Sequence, residues 1–264
     1  MMRYQASITA FFKSPKWGTN LLLGAVTSLI PVLGPMVLSG WLITIFWARG
    51  DDDEPSRLPP FDFQYFTKYM ERGLWPFLVN LVAGLVMSAV LLPLMLVPLL
   101  ISGVLTAGHT RLHHADAVTL VPLFGLMAVL YVGFALAFTL ILVPLTLRAT
   151  LTQAFGPAFH LGFLREFIGL MWMELLLCGG FLFVMSLAMM VLTVITCYLG
   201  LFPSIPVMAF AWQHLLKQLY QLYRQRGGTP VPFSSKLNDL PPALPPSAPA
   251  GPPPPPMPPA AFEP

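Results

Sequence analysis

Long apolar runs alternate with short polar breaks along this chain. The runs at about 75–106, 117–147 and 168–198 each exceed the roughly 20 residues that a helix needs to cross the hydrocarbon core of a membrane. A shorter run covers 204–219. Period-3.6 amphipathicity is weak in the long runs, as is typical of helices that face lipid and other helices. The pattern predicts an all-α integral membrane protein, a helical bundle with four crossing helices.

The first apolar stretch, 20–48, is harder to interpret because Pro31 and Gly34 interrupt it. Its halves, 20–30 and 35–48, would be about 16 and 21 Å long as helices. Neither half crosses a core of about 30 Å alone. The stretch therefore predicts either one tilted, kinked span or a short helical hairpin that enters and leaves on the same side.

Composition supports the membrane assignment. Apolar residue types make up 56% of the chain and charged types only 9%, whereas soluble domains carry roughly 25% charged residues. So little charge cannot cover the surface of a water-soluble fold of this size. The net charge of +3 is small and scattered, so a nucleic-acid surface is not predicted.

The distribution of Lys and Arg favours the hairpin. These residues concentrate on the cytoplasmic side of membrane proteins. If 20–48 is a hairpin, thirteen of the 14 basic residues fall on one side and only Arg111 falls on the other. If 20–48 crosses once, the basic residues divide ten to four. We therefore expect a protein of the cytoplasmic membrane with both termini in the cytoplasm.

Two connecting segments, 61–74 and 153–167, have helical amphipathic patterns. Their apolar positions are Phe63, Phe66, Met70 and Leu74 in the first, and Phe155, Phe159, Phe163 and Phe167 in the second. Helices of this kind lie in the membrane plane with one apolar face in the lipid. Both segments are predicted to be interfacial amphipathic helices on the cytoplasmic side.

The chain divides into three regions on this basis. Residues 1–19 form a cytoplasmic N-terminal segment, 20–224 form the membrane domain, and 225–264 form a Pro-rich cytoplasmic tail that is expected to be disordered. Polyproline sequence favours an extended helix that docks in aromatic grooves of partner proteins. A passive disordered end is the other interpretation of this composition.

Proline, glycine and aromatic residues stand at the bends of these runs. They are Pro15, Lys16, Trp17, Pro31, Gly34, Gly40, Trp41, Leu58, Pro59, Pro60, Phe61, Asp62, Gly73, Leu74, His214, Leu215, Gln218, Leu219 and Tyr220. Over about 8–224, this set resembles the bacterial and archaeal membrane family catalogued as domain of unknown function 4013. Phe61 stands where that family usually has Trp, and Lys217 where a small residue is usual. The resemblance implies a multi-pass membrane protein and no activity, cofactor or catalytic residue.

Glu174 lies about two turns inside the run 168–198, and His214 lies in the last apolar segment. An ionisable group within a membrane helix is a functional-site hypothesis by default. If the two helices pack together, Glu174 and His214 could relay protons or hold a polar substrate. The structural interpretation is that Glu174 reaches the interface or makes one hydrogen bond.

Two polar loops contain further candidates. His109, His113, His114 and Asp116 have spacing that can hold a metal ion, but a polar loop in which Asp116 caps the next helix is the favoured interpretation. The acidic run from Asp51 to Glu54 lacks the spaced ligands and central glycine of a calcium loop, so a solvated turn is expected.

Proline pairs interrupt the apolar runs in both halves of the chain, at 31–35 and at 203–206. Broken helices bind substrates in transporters, but a re-entrant tip and a tight outer turn would need the same residues.

Three functions are consistent with these features. The favoured one is a non-enzymatic membrane protein that anchors or organises partners, because few polar groups lie within the runs. The alternatives are a carrier for a small or lipid-like solute that uses Glu174 and His214, and a membrane enzyme acting on lipid through the loop from His109 to Asp116. Phosphate-loop, nucleophile-elbow and HExxH motifs are absent, so no catalytic residue, cofactor or metal is predicted. The expected partner is the lipid bilayer; a protein bound to the Pro-rich tail is a candidate partner, a passive tail is the favoured interpretation, and nucleic acid is not expected.

Overall fold

The structure is a computed structural model that describes residues 2–47, 61–107 and 114–237. Seven α-helices and three short 3-10 turns account for most of these residues. The helices are α1 (Tyr4–Lys13), α2 (Trp17–Ser28), α3 (Leu33–Trp47), α4 (Phe66–Ala107), α5 (His114–Thr152), α6 (Leu161–Ile195) and α7 (Leu201–Gln225). The 3-10 turns are Phe63–Tyr65, Gly156–Phe159 and Ser235–Leu237. The predicted all-α bundle is confirmed.

Three of the described helices are long and apolar enough to cross a membrane. The stretches that meet these criteria are Phe63–Leu94, Gly125–Thr152 and Leu161–Ile195. Large apolar side chains on all three stretches are exposed, including Leu85, Val129 and Val184. This exposure is what lipid-facing helices require, because lipid takes the place of water around them. By length and composition, the chain is a membrane protein.

The fourth predicted crossing, 204–219, lies within α7. Helix α7 is not among the three described helices that are long and apolar enough to cross a membrane. Helix α7 is long enough for a span, but other helices cover its polar residues Gln213 and Lys217. It follows the turn after Ile195 and runs antiparallel to α6, so that the Tyr223 ring lies 4.8 Å from the Phe167 ring near the beginning of α6. Helix α7 therefore returns along α6 on the inside of the bundle.

Helices α2 and α3 form a helical hairpin. The chain reverses at Leu29–Val32, where Val32 has a φ of 68° and the Gly34 amide donates to the carbonyl of Ile30 at 2.9 Å. A Cβ at Gly34 would overlap the carbonyl oxygen of Thr27, so this close return needs glycine. The hairpin interpretation of 20–48 is confirmed over the single kinked span.

The two segments predicted as interfacial helices differ from that prediction. The first, 61–74, continues without a break into α4, and its Tyr69 and Arg72 side chains are buried. The second, 153–167, consists of a 3-10 turn and the first turns of α6, which His160 caps by accepting a hydrogen bond from the Phe163 amide at 3.1 Å. Phe163 and Phe167 face α7 rather than lipid.

The contact between α3 and α4 is close enough to involve backbone atoms. A Cβ at Gly40 would overlap the carbonyl oxygen of Tyr69, and a Cβ at Gly73 would overlap that of Met36. The largest core cluster adjoins this crossing and includes Trp41 of α3, Phe167 of α6 and Phe210 of α7. Glycine at both positions lets the two helices approach, as small residues do in membrane helix pairs.

Candidate functional site

Polar side chains gather at one end of the bundle, where α4 and α6 begin and α5 and α7 end. We call this end the base. Its charged residues are Lys68, Glu71, Arg72, Arg148, Arg165, Glu166, Arg224, Arg226 and Lys236. Arg148 shows how they are held, because its Nε donates to the carbonyl of Pro157 at 2.6 Å while its guanidinium lies 5.1 Å from the centre of the Phe163 ring.

Residues 226–237 leave α7 and cross the base, and we call them the clasp. Helix α7 ends with a turn in which Gly227 has a φ of 84° and the Gly228 amide donates to the carbonyl of Tyr223 at 3.0 Å. This left-handed glycine is the usual helix C-terminal arrangement, and it directs the chain back toward the other helices.

The first half of the clasp binds α6 through two carboxylates. Arg226 forms an ion pair with Glu174, with Nη1 2.9 Å from Oε2, and Nη1 also donates to the Leu170 carbonyl at 2.5 Å. The amide and hydroxyl of Thr229 both donate to Oε1 of Glu166, at 2.8 and 3.0 Å. Two acidic residues in the first half of α6 thus have partners in the clasp.

The second half of the clasp contacts α5 and α7. The Ser234 amide donates to the carbonyl of Leu151 in α5 at 2.9 Å, and the Val231 amide donates to the hydroxyl of Tyr220 in α7 at 3.2 Å. The side chains of Val231 and Leu237 are buried. The structure therefore differs from the predicted boundary of the tail at 225, because 226–237 are packed. The rest of the Pro-rich tail, 238–264, lies outside the described residues.

Arg72 is a buried cation where α3, α4 and the clasp meet. Its side chain is only 3% exposed. Nη1 donates to the Thr44 hydroxyl at 2.8 Å, and Nη2 donates to the Lys236 carbonyl at 3.0 Å. The Thr44 hydroxyl in turn donates to the Gly40 carbonyl at 2.8 Å. Beside this chain of hydrogen bonds, the exposed Lys236 ammonium lies 2.7 Å from a Glu71 oxygen.

Glu174 and His214 are not brought together by any described contact. The Glu174 carboxylate pairs with Arg226 at the end of α7, whereas the His214 ring is stacked on Phe46 of α3 at 5.5 Å. Residue 226 lies about 18 Å further along α7 than His214, at 1.5 Å per residue. Glu174 thus makes a structural contact, which is one part of the simpler interpretation that the sequence offered.

The other positions singled out in the sequence have mainly structural surroundings. Pro15 and Trp17 are exposed between α1 and α2, and Pro31 is exposed in the hairpin turn. Gly34, Gly40 and Gly73 are points of close helix approach, and Tyr220 accepts a hydrogen bond from the clasp.

The second proline pair does not break a crossing helix. Pro203 lies in the first turn of α7, where proline is tolerated, and Pro206 lies one turn further along, inside the helix. The reversal occurs before them at residues 196–200, where Cys197 and Tyr198 have positive φ values. The Thr196 hydroxyl accepts a hydrogen bond from the Gly200 amide at 2.8 Å. This arrangement is the tight turn that the sequence offered as one of two interpretations.

Several candidates lie outside the described residues. These are His109, His113, the acidic run 51–54, Leu58 and Pro59, together with the side chains of His114 and Asp116. Within the part of the chain that the structure describes, no three His, Cys, Asp or Glu side chains cluster as metal ligands.

The sequence did not predict the contacts of the clasp residues Arg226, Thr229 and Lys236. Proline and glycine occur throughout 225–264, so the whole range was assigned to one disordered tail. The apolar residues Val231 and Leu237 were the available signal, since they precede the continuous Pro-rich stretch. A hydrogen bond from the Thr146 hydroxyl to Asn80, at 3.0 Å between α5 and α4, was missed as well. The available signal was that Asn80 and Thr146 are isolated polar residues within apolar runs.

The comparisons with known proteins give one match. The family model described as "Protein of unknown function (DUF4013)" matches residues 23–199. This range is shorter than the 8–224 expected from the sequence, and it leaves out Pro15, Trp17, His214 and Tyr220. No curated protein and no solved structure matches the chain.

Proposed function

Because the chain belongs to the DUF4013 family, whose function is unknown, we propose from its own structure that it is a non-enzymatic protein of the cytoplasmic membrane that anchors and organises partners at its base. The observation that carries this proposal is the clasp. It is an ordered surface made by four helices and the segment before the Pro-rich stretch, and such a surface suits the presentation of a docking arm.

The distribution of charge supports a cytoplasmic base. Seven of the described Lys and Arg residues lie there: Lys68, Arg72, Arg148, Arg165, Arg224, Arg226 and Lys236. Between residues 73 and 147 the described residues include no Lys or Arg, and α6 has none after Arg165. Basic residues next to membrane spans are retained in the cytoplasm, so the base and the Pro-rich stretch are assigned to that side.

The apolar character of the spans favours anchoring over transport. A groove of about 370 Å³ along α4 is lined by Gly84, Met87, Ser88, Leu91 and Leu92, of which only Ser88 carries a polar side-chain atom. Its composition suits lipid or another apolar helix rather than a polar solute.

The carrier alternative depends on Glu174 acting with His214, and the ion pair between Glu174 and Arg226 counts against it. The lipid-enzyme alternative depended on the loop from His109 to Asp116, so it stays a prediction without a described site. Neither alternative gains a supporting observation from the described residues.

The test is a purification from native membranes in mild detergent with three forms of the chain. These are the full chain, a chain cut after Leu237 that keeps the clasp, and a chain cut after Gly228. We expect protein partners with the full chain and their loss in both shorter forms, identified by mass spectrometry. Partners that stay bound to the chain cut after Gly228 would place docking elsewhere, and no partner with any form would count against anchoring.

A further inference from the structure

The N-terminal half of α1 lies between two grooves of different chemistry. The groove between α1 and α7 has a volume of about 470 Å³. The groove between α1 and α6 has a volume of about 680 Å³. Both fall in the range of roughly 300–1,000 Å³ that is usual for ligand pockets. Met2, Arg3 and Ala6 line both grooves, so a single molecule can occupy the two together.

The α1–α7 groove is basic. Its polar lining residues are Arg3, Thr9, Lys13, His214, Gln218, Gln221 and Gln225, with no acidic residue among those described. Arg3 and Lys13 are exposed, and neither pairs with a carboxylate in the ranges that the structure describes. The Arg3 amide donates to Gln218 at 2.6 Å, which fixes the beginning of α1 against α7. Two cations with nearby amides are a suitable arrangement for a phosphate group.

The α1–α6 groove is lined mainly by apolar and aromatic side chains, with Arg3 and Gln5 as its polar residues. Leu177 and Phe181 line it from α6, within a stretch that is long and apolar enough to cross a membrane. The Tyr4 ring lies 5.3 Å from the Phe181 ring and forms the opposite wall. Burial, with smaller contributions from Cys178 and Glu174, raises the pKa of Tyr4 above its ordinary value.

The corner between α1 and α2 has the composition of a membrane–water interface. Phe12 and Trp17 are exposed there and contact each other edge to face at 5.6 Å. Lys13 and Lys16 are exposed beside them. Tryptophan is enriched where the acyl region meets the headgroups, and lysine extends from that level toward phosphate. This composition suits a position of the corner, and of the Lys13 end of the basic groove, at the level of lipid headgroups.

From these observations we propose that α1 forms a binding site for one anionic phospholipid. The headgroup phosphate binds Arg3 and Lys13 in the α1–α7 groove, and an acyl chain lies along Tyr4, Leu177 and Phe181 in the α1–α6 groove. A zwitterionic lipid binds more weakly, because the positive charge of its headgroup meets the same two cations. The site does not depend on the proposed anchoring function.

The test is native mass spectrometry of the full chain in detergent with added phosphatidylglycerol, phosphatidylcholine or soluble glycerol phosphate. We expect one phosphatidylglycerol to bind per chain, and the double variant Arg3→Gln/Lys13→Gln to weaken that binding roughly tenfold or more through loss of two charge-assisted contacts. Phosphatidylcholine should bind much less. Glycerol phosphate should not compete, because it lacks the acyl chain.

Three further variants complete the test. Lys68→Gln/Arg165→Gln removes the same charge from exposed positions outside both grooves and should keep binding within about twofold. Arg3→Lys/Lys13→Arg keeps the charge and should retain most of the affinity. Leu177→Trp fills the apolar groove and should lower affinity without any change in charge. Circular dichroism and size-exclusion chromatography would establish that each variant is folded.

Several results would overturn the proposal. Equal losses in the two charge-removing variants would mean that the lipid follows net charge rather than this site. Equal binding of both lipids would remove the role of Arg3 and Lys13. Competition by glycerol phosphate would replace the lipid with a soluble phosphate ester, and unchanged binding in Leu177→Trp would remove the acyl-chain groove.

Discussion

At the scale of single residues, Arg72 has the most demanding position in the described chain. A guanidinium that is almost fully buried loses its hydration, and it is tolerated only where hydrogen-bond acceptors replace water. Thr44 and the Lys236 carbonyl provide such acceptors, from α3 and from the clasp. Arg72 therefore connects two parts of the chain that are 192 residues apart in sequence, from position 44 to position 236.

Replacement of Arg72 by Leu should destabilise the fold. The loss of two hydrogen bonds to a charged group, with two acceptors left buried, is expected to cost about 3 kcal/mol and to lower the melting temperature by roughly 6 °C or more. The measurement is thermal unfolding of the purified protein in detergent. Arg165→Leu, at an exposed position of the base, is the matched control and should change the melting temperature little. Equal shifts in the two variants would contradict the role given to Arg72.

At the scale of helices, close packing in this bundle depends on the positions of particular glycine residues. The contact between α3 and α4 places Gly40 and Gly73 against opposing carbonyl groups, so there is no room for a methyl group at either position. Further along α4, Gly84 has open space where a Cβ would be. Within α4, glycine is therefore required at position 73 but not at position 84.

Ala substitutions separate these two cases. Gly40→Ala or Gly73→Ala must push α3 and α4 apart and should cost about 3 kcal/mol or more, at the upper end for overpacked sites. Gly84→Ala should be neutral or slightly stabilising, because Ala favours the helix and meets nothing. The measurement is the melting temperature of each variant in the same detergent. A Gly73→Ala protein as stable as Gly84→Ala would disprove the close contact.

The helices also show how far sequence patterns reach. Long apolar runs predicted α4, α5 and α6, because a run of more than about 20 apolar residues has the length of a membrane-crossing helix. The repeat of Phe155, Phe159, Phe163 and Phe167 predicted a helix in lipid, yet Phe163 and Phe167 face α7. Period-four aromatic spacing identifies an apolar face, but it cannot distinguish lipid from protein as the cover. The sequence also placed Glu174 within a helix but did not predict its ion pair with Arg226. That contact depends on how α6 and the end of α7 pack together.

At the scale of the whole molecule, α6 separates the two ends of the bundle. It begins at the base and ends about 52 Å away, at 1.5 Å for each of its 35 residues. Cys197 lies in the turn at the far end and is exposed, whereas Ser235 is exposed in the clasp. The two positions therefore report on opposite sides if α6 crosses the membrane.

Labelling of single cysteines in intact cells should reveal this arrangement. A chain with Cys178→Ala keeps Cys197 and should react with a membrane-impermeant maleimide from outside. A chain with Cys178→Ala, Cys197→Ala and Ser235→Cys should react only after the cells are permeabilised. Reaction of Ser235→Cys in intact cells would reverse the proposed orientation, and reaction of both variants from the same side would exclude α6 as a crossing helix.

The clasp also has a consequence for the way the protein is made. Chains are synthesised from the N-terminus, so α4, α5 and α6 leave the ribosome before Arg226, Thr229 and Ser234 have been added. These helices must enter the bilayer while the carboxylates of Glu166 and Glu174 still lack their clasp partners. A chain that is released early would contain all three apolar helices but would have an open base. Closure of the base is thus a late step, because it needs residues that are added after all three apolar helices.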